Sequence, residues 1–315
     1  MIHGHVVVIG AMKSGTTALF QTLRQHPEIA PSHVKETNFF CVARPRDLEP
    51  QRYAAHWSFD PSRHRWALEA STNYAKLPCF TNPAVFAHRL SPARFRFIYM
   101  VRDPVERIRS QYLHSLAEGW IQRPIHEGVL EQALLISNYH FQSMPYLYSF
   151  GEDAFLVVRY EDFVQDRERV LQRICGFLEI DATFPFRDPG SQNGSDRYRN
   201  RLLARAIDQT GVLAQPLEPR ASDWDHGSYR AHCRGLLEAV GGGDRLEPLE
   251  EALRRSYEPS PEQSSEIRER LAFDLELFRR RFGLADWEDR PRRGRPPPAN
   301  RVEDREGSAP PAPMP

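Results

Sequence analysis

The sequence has little cysteine, no long hydrophobic run and no net charge. Its 315 residues include four cysteines without a C-x-x-C pair, which favours reduced thiols in a cytosolic protein over a disulfide framework. No apolar stretch approaches the roughly 20 residues of a membrane-spanning helix. The 42 basic residues balance 42 acidic ones, so no overall field favours nucleic acid or membrane. The N-terminus has no basic leader and enters a strand-like run at once, which predicts a cytoplasmic location.

Short β-rich runs alternate with helical patterns along the first 180 residues. The pattern predicts an α/β fold, a P-loop-like central parallel β-sheet with helices on both faces. Ligands of such sheets bind at the carboxyl ends of the strands. The predicted strands cover residues 5–10, 66–71, 94–102 and 154–162, and the predicted helices cover residues 16–26, 83–90, 104–118, 134–150 and 167–178.

The C-terminal third of the sequence has a different composition and a different pattern of predicted elements. Residues 211–247 mix Pro, Gly, Asp and Arg and predict mostly loop with at most one short helix. A long helix is predicted over residues 260–283, with Ser260 as N-cap and Gly283 at its end. We therefore expect one domain over residues 1–284 and a disordered Pro- and Arg-rich tail over residues 285–315.

The stretch "GAMKSGTT" follows the first strand and precedes a helix, as a phosphate-binding loop does. A nucleotide-triphosphate loop has its lysine directly after the second glycine, where this chain has Thr16. The only lysine, Lys13, lies inside the loop beside Ser14. Backbone N–H groups of Gly15, Thr16 and Thr17, with the hydroxyls, could bind an anion that Lys13 helps to neutralise. The alternative is a glycine-rich turn with a solvated lysine.

A second cluster, "RDPVERIRS", lies where the third predicted strand meets a helix. Arg102 ends the strand, Asp103 is a helix N-cap, and Ser110 follows two turns into the helix. A guanidinium with a hydroxyl donor suits a dianionic phosphate. The alternative for Arg102 is an ion pair with Asp103 or Glu106.

Together, the two clusters resemble the nucleotide site of sulfotransferases. The pattern G-x-x-K-x-G-T-T is similar to their 5′-phosphosulfate loop, and the Arg102 and Ser110 pair is similar to their 3′-phosphate site. Over roughly residues 5–180 the chain resembles the heparan sulfate sulfotransferase branch and its soluble bacterial relatives. The resemblance implies metal-independent transfer of a sulfonyl group from 3′-phosphoadenosine 5′-phosphosulfate (PAPS), leaving 3′-phosphoadenosine 5′-phosphate (PAP). Lys13 would stabilise the leaving phosphate oxygen.

That branch has a glutamate before a Phe-Phe pair as general base. The matching stretch, "KETNFF", makes Glu36 the candidate, and Phe39–Phe40 could raise its pKa by desolvation. His33 is the alternative base, because cytosolic aryl and alcohol sulfotransferases use histidine. Glu36 could also simply pair with Lys35 or Lys13.

One position departs from the branch. In "EASTNY" the family lysine is replaced by Ala70, which weakens the expectation of a polysaccharide acceptor. Lys35 or Lys76 could supply the charge from another direction. Ser71, Thr72 and Asn73 follow this strand and could contact acceptor or sulfonyl group, or be ordinary strand-end polar residues.

A third nucleotide contact is implied by "SQNGSDRYRNRLLARAI", which looks like the basic loop of the bacterial relatives. Arg197 is the first candidate, followed by Tyr198 and Arg199. The alternative is a solvated basic helix start.

The predicted function is therefore sulfonyl transfer to a hydroxyl, or an amine, of a glycan or small molecule. The alternatives are a P-loop kinase with a shifted lysine and a non-catalytic protein that binds PAP or PAPS. The sequence does not predict a nucleic-acid partner or an oligomeric state. A zinc site at His226, His232 and Cys233 is not predicted, since their spacing fits no common zinc motif.

Overall fold

A five-stranded parallel sheet forms the centre of the protein. We describe a computed structural model of the chain that covers residues 2, 4–42, 48–80, 82–90, 93–190, 194–217 and 224–287. The strand order is β2-β3-β1-β4-β5, so β1 lies in the middle. The strands are β1 (Gly4–Gly10), β2 (Ile29–Pro31), β3 (Trp66–Ala70), β4 (Arg94–Val101) and β5 (Phe155–Arg159).

Every pairing in this sheet is parallel, with β1 hydrogen-bonded to β3 on one side and β4 on the other. The predicted parallel α/β sheet is therefore confirmed. The three-residue strand β2 was not predicted, because a run this short carries no alternation of its own. The segments that follow β1, β3, β4 and β5 all leave from the same edge of the sheet.

Helices cover both faces, as predicted. The α-helices are α1 (Thr16–Leu23), α2 (Phe39–Val42), α3 (Pro50–Ala54), α4 (Pro83–His88), α5 (Pro104–Ala117), α6 (Glu131–Ser137), α7 (Tyr139–Phe150), α8 (Tyr160–Gln165), α9 (Arg167–Leu178), α10 (Gly194–Gln209), α11 (His226–Ala239), α12 (Leu246–Tyr257) and α13 (Pro261–Phe282). A 3₁₀ turn, Thr72–Ala75, follows β3.

Alternating residues of the strands pack into two separate cores. Val7 and Tyr99 lie in the aromatic-rich core beneath α7 and α13. Val8 and Met100 lie in the core beneath α1 and α9. This period of two places every strand between two apolar layers, which is why the strands read as nearly continuous hydrophobic runs.

Two predicted boundaries were wrong. The helix predicted over 134–150 is broken at Asn138, and the carboxylate of Asp274 on α13 accepts from the N–H groups of His140 and Phe141 at the start of α7. A tertiary cap of this kind has no local signal. The strand predicted to residue 162 ends at Arg159, where α8 begins.

The prediction of mostly loop over 211–247 was also wrong. Helix α11 has 14 residues, and Asp225 caps it by accepting from the N–H of Ser228. Its buried residues Tyr229, Cys233 and Leu237 recur every four positions. Glycines and charges around this stripe obscured it.

The C-terminal helix begins and ends as predicted. Ser260 forms a capping box with Gln263, and Gly283 adopts a left-handed conformation after the last turn. The packed chain continues three residues past the predicted boundary at 284, since Trp287 is buried against Tyr139. The rest of the predicted disordered tail, residues 288–315, lies outside the described residues. Within the described ranges, we find no helix of the length and hydropathy needed to cross a membrane.

Candidate active site

The loop between β1 and α1 is held in a conformation that needs glycine. Gly15 has φ 86° and lies directly before Thr16, the first residue of α1. A Cβ on Gly15 would lie 2.7 Å from the ring of Tyr160. The first-turn N–H groups of a helix have no partners within the helix. Those of Thr16 and Thr17 are therefore available to an anion at the end of β1.

One buried polar atom in this loop is unsatisfied. The side chain of Ser14 is fully buried, and its Oγ has no hydrogen-bond partner among the described residues. A buried hydroxyl without a partner is costly unless a ligand completes it. Thr16 is also buried, whereas Thr17 is exposed. The loop thus offers a donor set that lacks an acceptor.

Lys13 belongs to this loop, and its side chain is a largely buried cation. Its Nζ lies 4.5 Å from the centre of the Tyr198 ring. The pKa of Lys13 is lowered to about 8, mainly by burial and also by the nearby charges of Arg102 and Lys35, while the charge of Glu118 opposes this shift. An anion beside this amine would reverse that pKa shift.

Arg102 stands at the carboxyl end of β4, next to the loop. One guanidinium nitrogen donates to the backbone oxygen of Lys13 at 3.3 Å, and the group lies 4.8 Å from the Tyr160 ring centre. The other terminal nitrogen pairs with Glu106 at 3.5 Å, so the predicted alternative also forms. Ser110 is half-buried two turns along α5. Asp103 caps α5 as predicted, accepting from the N–H of Glu106.

The third predicted contact is only partly described, because residues 191–193 lie outside the described ranges. Arg197 is exposed at the start of α10, and its charge acts on His114. Tyr198 is the residue of this stretch that contacts Lys13. Arg199 lies 3.8 Å from Asp196 in an ion pair.

His114 was not predicted as a site residue. It lies one turn after Ser110 on α5, with its ring centre 4.6 Å from that of Tyr198 and 4.7 Å from that of Trp120. Burial lowers the pKa of His114 to about 4, helped by the charge of Lys13, so the imidazole is neutral at pH 7. The i,i+4 spacing from Ser110 is the signal that could have identified it.

Glu36 reaches the end of β3 from a distant segment. Its N–H donates to the oxygen of Ala70 at 2.8 Å. One carboxylate oxygen accepts from the N–H of Thr72 at 2.7 Å, and the other contacts the amine of Lys35. The side chain remains 34% exposed. The carboxylate is thus oriented by Thr72 and still open, although the predicted pairing with Lys35 also forms.

Two neighbouring carboxylates differ in role. Phe39 and Phe40 pack into the aromatic core around Tyr53, and the carboxylate enclosed there is Glu69, not Glu36. Glu69 is fully buried, and burial raises its pKa although Thr37, Tyr53, Ser71 and Tyr74 all donate to it.

The alternative base lies in different surroundings. The side chain of His33 is exposed, and its ring lies 3.0 Å from the hydroxyl of Ser58. Its backbone N–H donates to His56. No such contact links His33 to Thr72 or to the phosphate-type loop in the described chain.

Lys76 lies close in the chain to the strand end where the family lysine is missing. Ala70 is fully buried in the core beneath α1. Lys76, which follows the 3₁₀ turn, places its amine 2.7 Å from the amide oxygen of Asn73. Burial lowers the pKa of Lys76, whereas the nearby charge of Glu36 raises it. Lys76 therefore brings a second amine close to Glu36.

His226, His232 and Cys233 do not form a metal site. His226 lies 2.7 Å from the amide oxygen of Asn200, and Cys233 is buried in the core of α10 to α12. Nowhere in the described ranges do three or more His, Cys, Asp or Glu side chains cluster in a way that could hold a metal ion.

The comparisons with known proteins agree with this geometry. A family model described as "Sulfotransferase family" matches residues 5–184. Carbohydrate sulfotransferase 15 of Mus musculus is 24% identical over 245 residues, which cover 56% of this chain and 44% of that protein. Heparan sulfate glucosamine 3-O-sulfotransferase 3A1 of Mus musculus is 28% identical over 197 residues, covering 55% of this chain and 45% of that protein. The chain thus spans less than half the length of these relatives.

Among solved structures, a sulfotransferase from Alicyclobacillus acidocaldarius aligns with a TM-score of 0.50 and 21% identity. The alignment covers 71% of this chain and 98% of that chain, and it shows the fold. The family model matches more than half of the chain and includes the loop, Arg102, Ser110 and Glu36. The chain therefore belongs to the sulfotransferase family.

Proposed function

We propose that this protein transfers a sulfonyl group from PAPS to a hydroxyl of a small-molecule or carbohydrate acceptor. The observation that carries the proposal is the unsatisfied donor set at the end of β1. Ser14 has a buried hydroxyl without a partner, and the amine of Lys13 is buried beside it with a lowered pKa. Both features are explained by an anion bound at this loop.

In the proposed reaction, the acceptor oxygen attacks sulfur in line with the bond to the 5′-phosphate. The new O–S bond forms as the S–O bond to the phosphate breaks, and PAP leaves with the electron pair. Glu36 takes the proton of the acceptor hydroxyl. Lys13 and the N–H groups of Thr16 and Thr17 stabilise the charge that develops on the leaving oxygen.

The 3′-phosphate of the donor is assigned to Arg102 and Ser110. Arg102 is held by Tyr160 and by the backbone oxygen of Lys13, so its position is fixed before nucleotide binds. The phosphate would compete with Glu106 for the same guanidinium. Arg197 is a further contact in this proposal.

The carboxylate arrangement favours this reaction over phosphoryl transfer by a kinase. A kinase of the P-loop type needs an acidic residue for Mg²⁺ near the strand that follows the loop. Asp103, which follows β4, caps α5 and pairs with Arg268 at 3.2 Å. A non-catalytic binder of PAP would have no use for Glu36, which is oriented by Thr72 and remains open.

An acceptor screen with ³⁵S-labelled PAPS tests the proposal. Glycans, phenols and hydroxylated small molecules are offered in separate pools, and labelled product is separated from PAPS. We expect transfer into at least one pool, with wild type well above Glu36→Gln. Binding of PAPS without transfer to any pool would support the non-catalytic alternative.

A further inference from the structure

A small cavity beside the loop is lined by one lysine together with neutral polar and apolar side chains. Its volume is about 160 Å³, and it lies between Met12 of the loop, the residue after the 3₁₀ turn and the middle of α5. A cavity of about 150 Å³ accommodates one benzene ring. This space therefore fits one ring.

The lysine that lines this cavity has no hydrogen-bonded carboxylate partner among the described residues. This lysine is Lys76, and the amine's hydrogen bond goes to the neutral amide of Asn73. Glu36 acts on Lys76 through its charge but does not line the cavity. All residues lining the cavity belong to the described chain, and none of them is Asp or Glu.

The buried residue Arg107 adds a second positive charge close to the cavity. Arg107 is fully buried and donates to Ser137, to the backbone oxygen of Ala133 and to the amide oxygen of Gln111, which are all neutral. A buried cation without an anionic partner is costly. Its field raises the potential of the cavity and lowers the pKa of Lys76.

The same arginine fixes the direction of a donor. Gln111 lines the cavity, and its amide oxygen is occupied by Arg107 at 2.8 Å. Its amide nitrogen has no partner within the described part of the chain and is left for a ligand. Ser115, one turn further along α5, adds a hydroxyl to the same wall. The amine of Lys76, the amide nitrogen of Gln111 and the hydroxyl of Ser115 thus provide donors to the cavity.

Apolar residues line another part of the cavity, which is partly open to solvent. Trp120 and Ile121 line it, and Trp120 is 65% exposed. An indole at the mouth of a cavity can cover one face of an aromatic or sugar ring. The cavity therefore offers a flat apolar surface together with one cationic donor and several neutral donors.

We propose that this cavity binds the acceptor, and that the acceptor is a single-ring compound carrying an oxyanion, such as a carboxylate, near its reacting hydroxyl. Lys76 and the amide nitrogen of Gln111 bind the oxyanion, and Trp120 covers the ring. In this proposal, the hydroxyl beside the oxyanion is the one that loses its proton to Glu36. This inference rests on the proposed function.

Binding of matched probes tests the inference. The pair 2-hydroxyphenylacetate and 2-hydroxyphenylacetamide, in which the acid or amide lies beside the hydroxyl, differ in charge but hardly in shape, and methyl glucuronide and its amide form a second pair. Calorimetry is run with saturating PAP, so that no sulfonyl group is present to explain an effect of Lys76. We expect the carboxylate of at least one pair to bind roughly tenfold tighter than its amide.

Variants identify the source of the preference. Lys76→Gln should reduce the preference to less than about twofold, and Lys76→Arg should restore much of it. Lys35→Gln is the matched control, since Lys35 contacts Glu36 but does not line the cavity, and it should keep the preference. Unchanged PAP binding in each variant verifies folding.

The inference is overturned if neither carboxylate is preferred, whether or not the amides bind, or if Lys76→Gln keeps the preference. Failure of this inference can be told apart from failure of the proposed function. If the wild type does not bind PAP, the proposed function is overturned. If the carboxylate is still preferred in that case, the cavity remains an anion site although the proposed function fails.

Discussion

The two sides of the active site are built in different ways. The donor side, defined here as the loop Gly10–Thr17 with Arg102 and Ser110, consists of two short continuous segments. The acceptor side, defined as Glu36 with the cavity beside Lys76, is assembled from five separate segments of the chain. Anion binding by backbone N–H groups needs a local conformation, whereas a shaped cavity needs tertiary packing.

This difference should divide the effects of mutation into two kinds. Changes on the donor side should alter nucleotide binding together with turnover, because the same loop atoms serve both. Changes on the acceptor side should alter turnover and leave PAP binding intact. The predictions below test whether that division holds.

The largest effect is expected for Glu36→Gln, which keeps the shape of the base but removes its proton acceptor. Single-turnover transfer at saturating PAPS should fall roughly a hundred- to ten-thousandfold, the range for a general base. PAP affinity should stay near the wild-type value. His33→Ala is the control and should cost much less. An active Glu36→Gln beside an inactive His33→Ala would reverse the assignment.

Lys13→Ala should reduce turnover by roughly a hundredfold, because charge stabilisation at the leaving oxygen is lost. PAP affinity should fall less, since the N–H groups at the start of α1 remain. Both constants are measured on the same preparation. Turnover near the wild-type value would show that Lys13 takes no part in catalysis.

Gly15→Ala should destabilise the loop through a clash as well as through its backbone conformation. Gly283→Ala is a matched control, since Gly283 is also left-handed but a Cβ there would meet no atom within 4 Å. The free energy of unfolding should fall about 1–3 kcal/mol further in Gly15→Ala than in Gly283→Ala, the usual cost of overpacking. Equal losses of unfolding free energy would mean that the Tyr160 ring moves aside without an energetic cost.

The pH dependence of PAP binding should report Lys13. Its pKa of about 8 in the free protein means that the amine is charged below pH 8 and neutral above it. PAP affinity should therefore be level near pH 7 and fall about tenfold per pH unit above 8. A phosphate second pKa near 6 lies outside this window. Lys13→Met should show no such fall.

Stability of the free protein should change in the opposite direction. The pKa of Lys13 is lowered on folding, so between about pH 8 and the unfolded value of 10.5 the unfolded chain binds the extra proton. This group then makes the folded state more stable as pH rises through that window. Denaturant unfolding of wild type and Lys13→Met, compared at several pH values, measures this contribution.

The local structure of the donor side could be predicted from the sequence for a physical reason. The loop, the Asp103 cap and the strand end at Arg102 depend on residues close together in the chain. The parallel sheet followed from the strand and helix alternation, and the end of α13 followed from Ser260 and Gly283.

The acceptor side could not be predicted in the same way. Lys76 meets Gln111 and Trp120 only in the folded protein, and no spacing in the chain links Lys76 to them. The expected desolvation of Glu36 by Phe39–Phe40 did not follow, because that pair turns into the core and encloses Glu69 instead.

Heat unfolding with matched nucleotides tests the central claim most directly. PAP, adenosine 5′-phosphate and ATP with Mg²⁺ are compared at one concentration with the full chain. PAP at 100 times its dissociation constant should add about 2.7 kcal/mol, while the other two add much less. Arg102→Ala should remove most of that difference. Equal stabilisation by adenosine 5′-phosphate would contradict a site for the 3′-phosphate and with it the PAPS assignment.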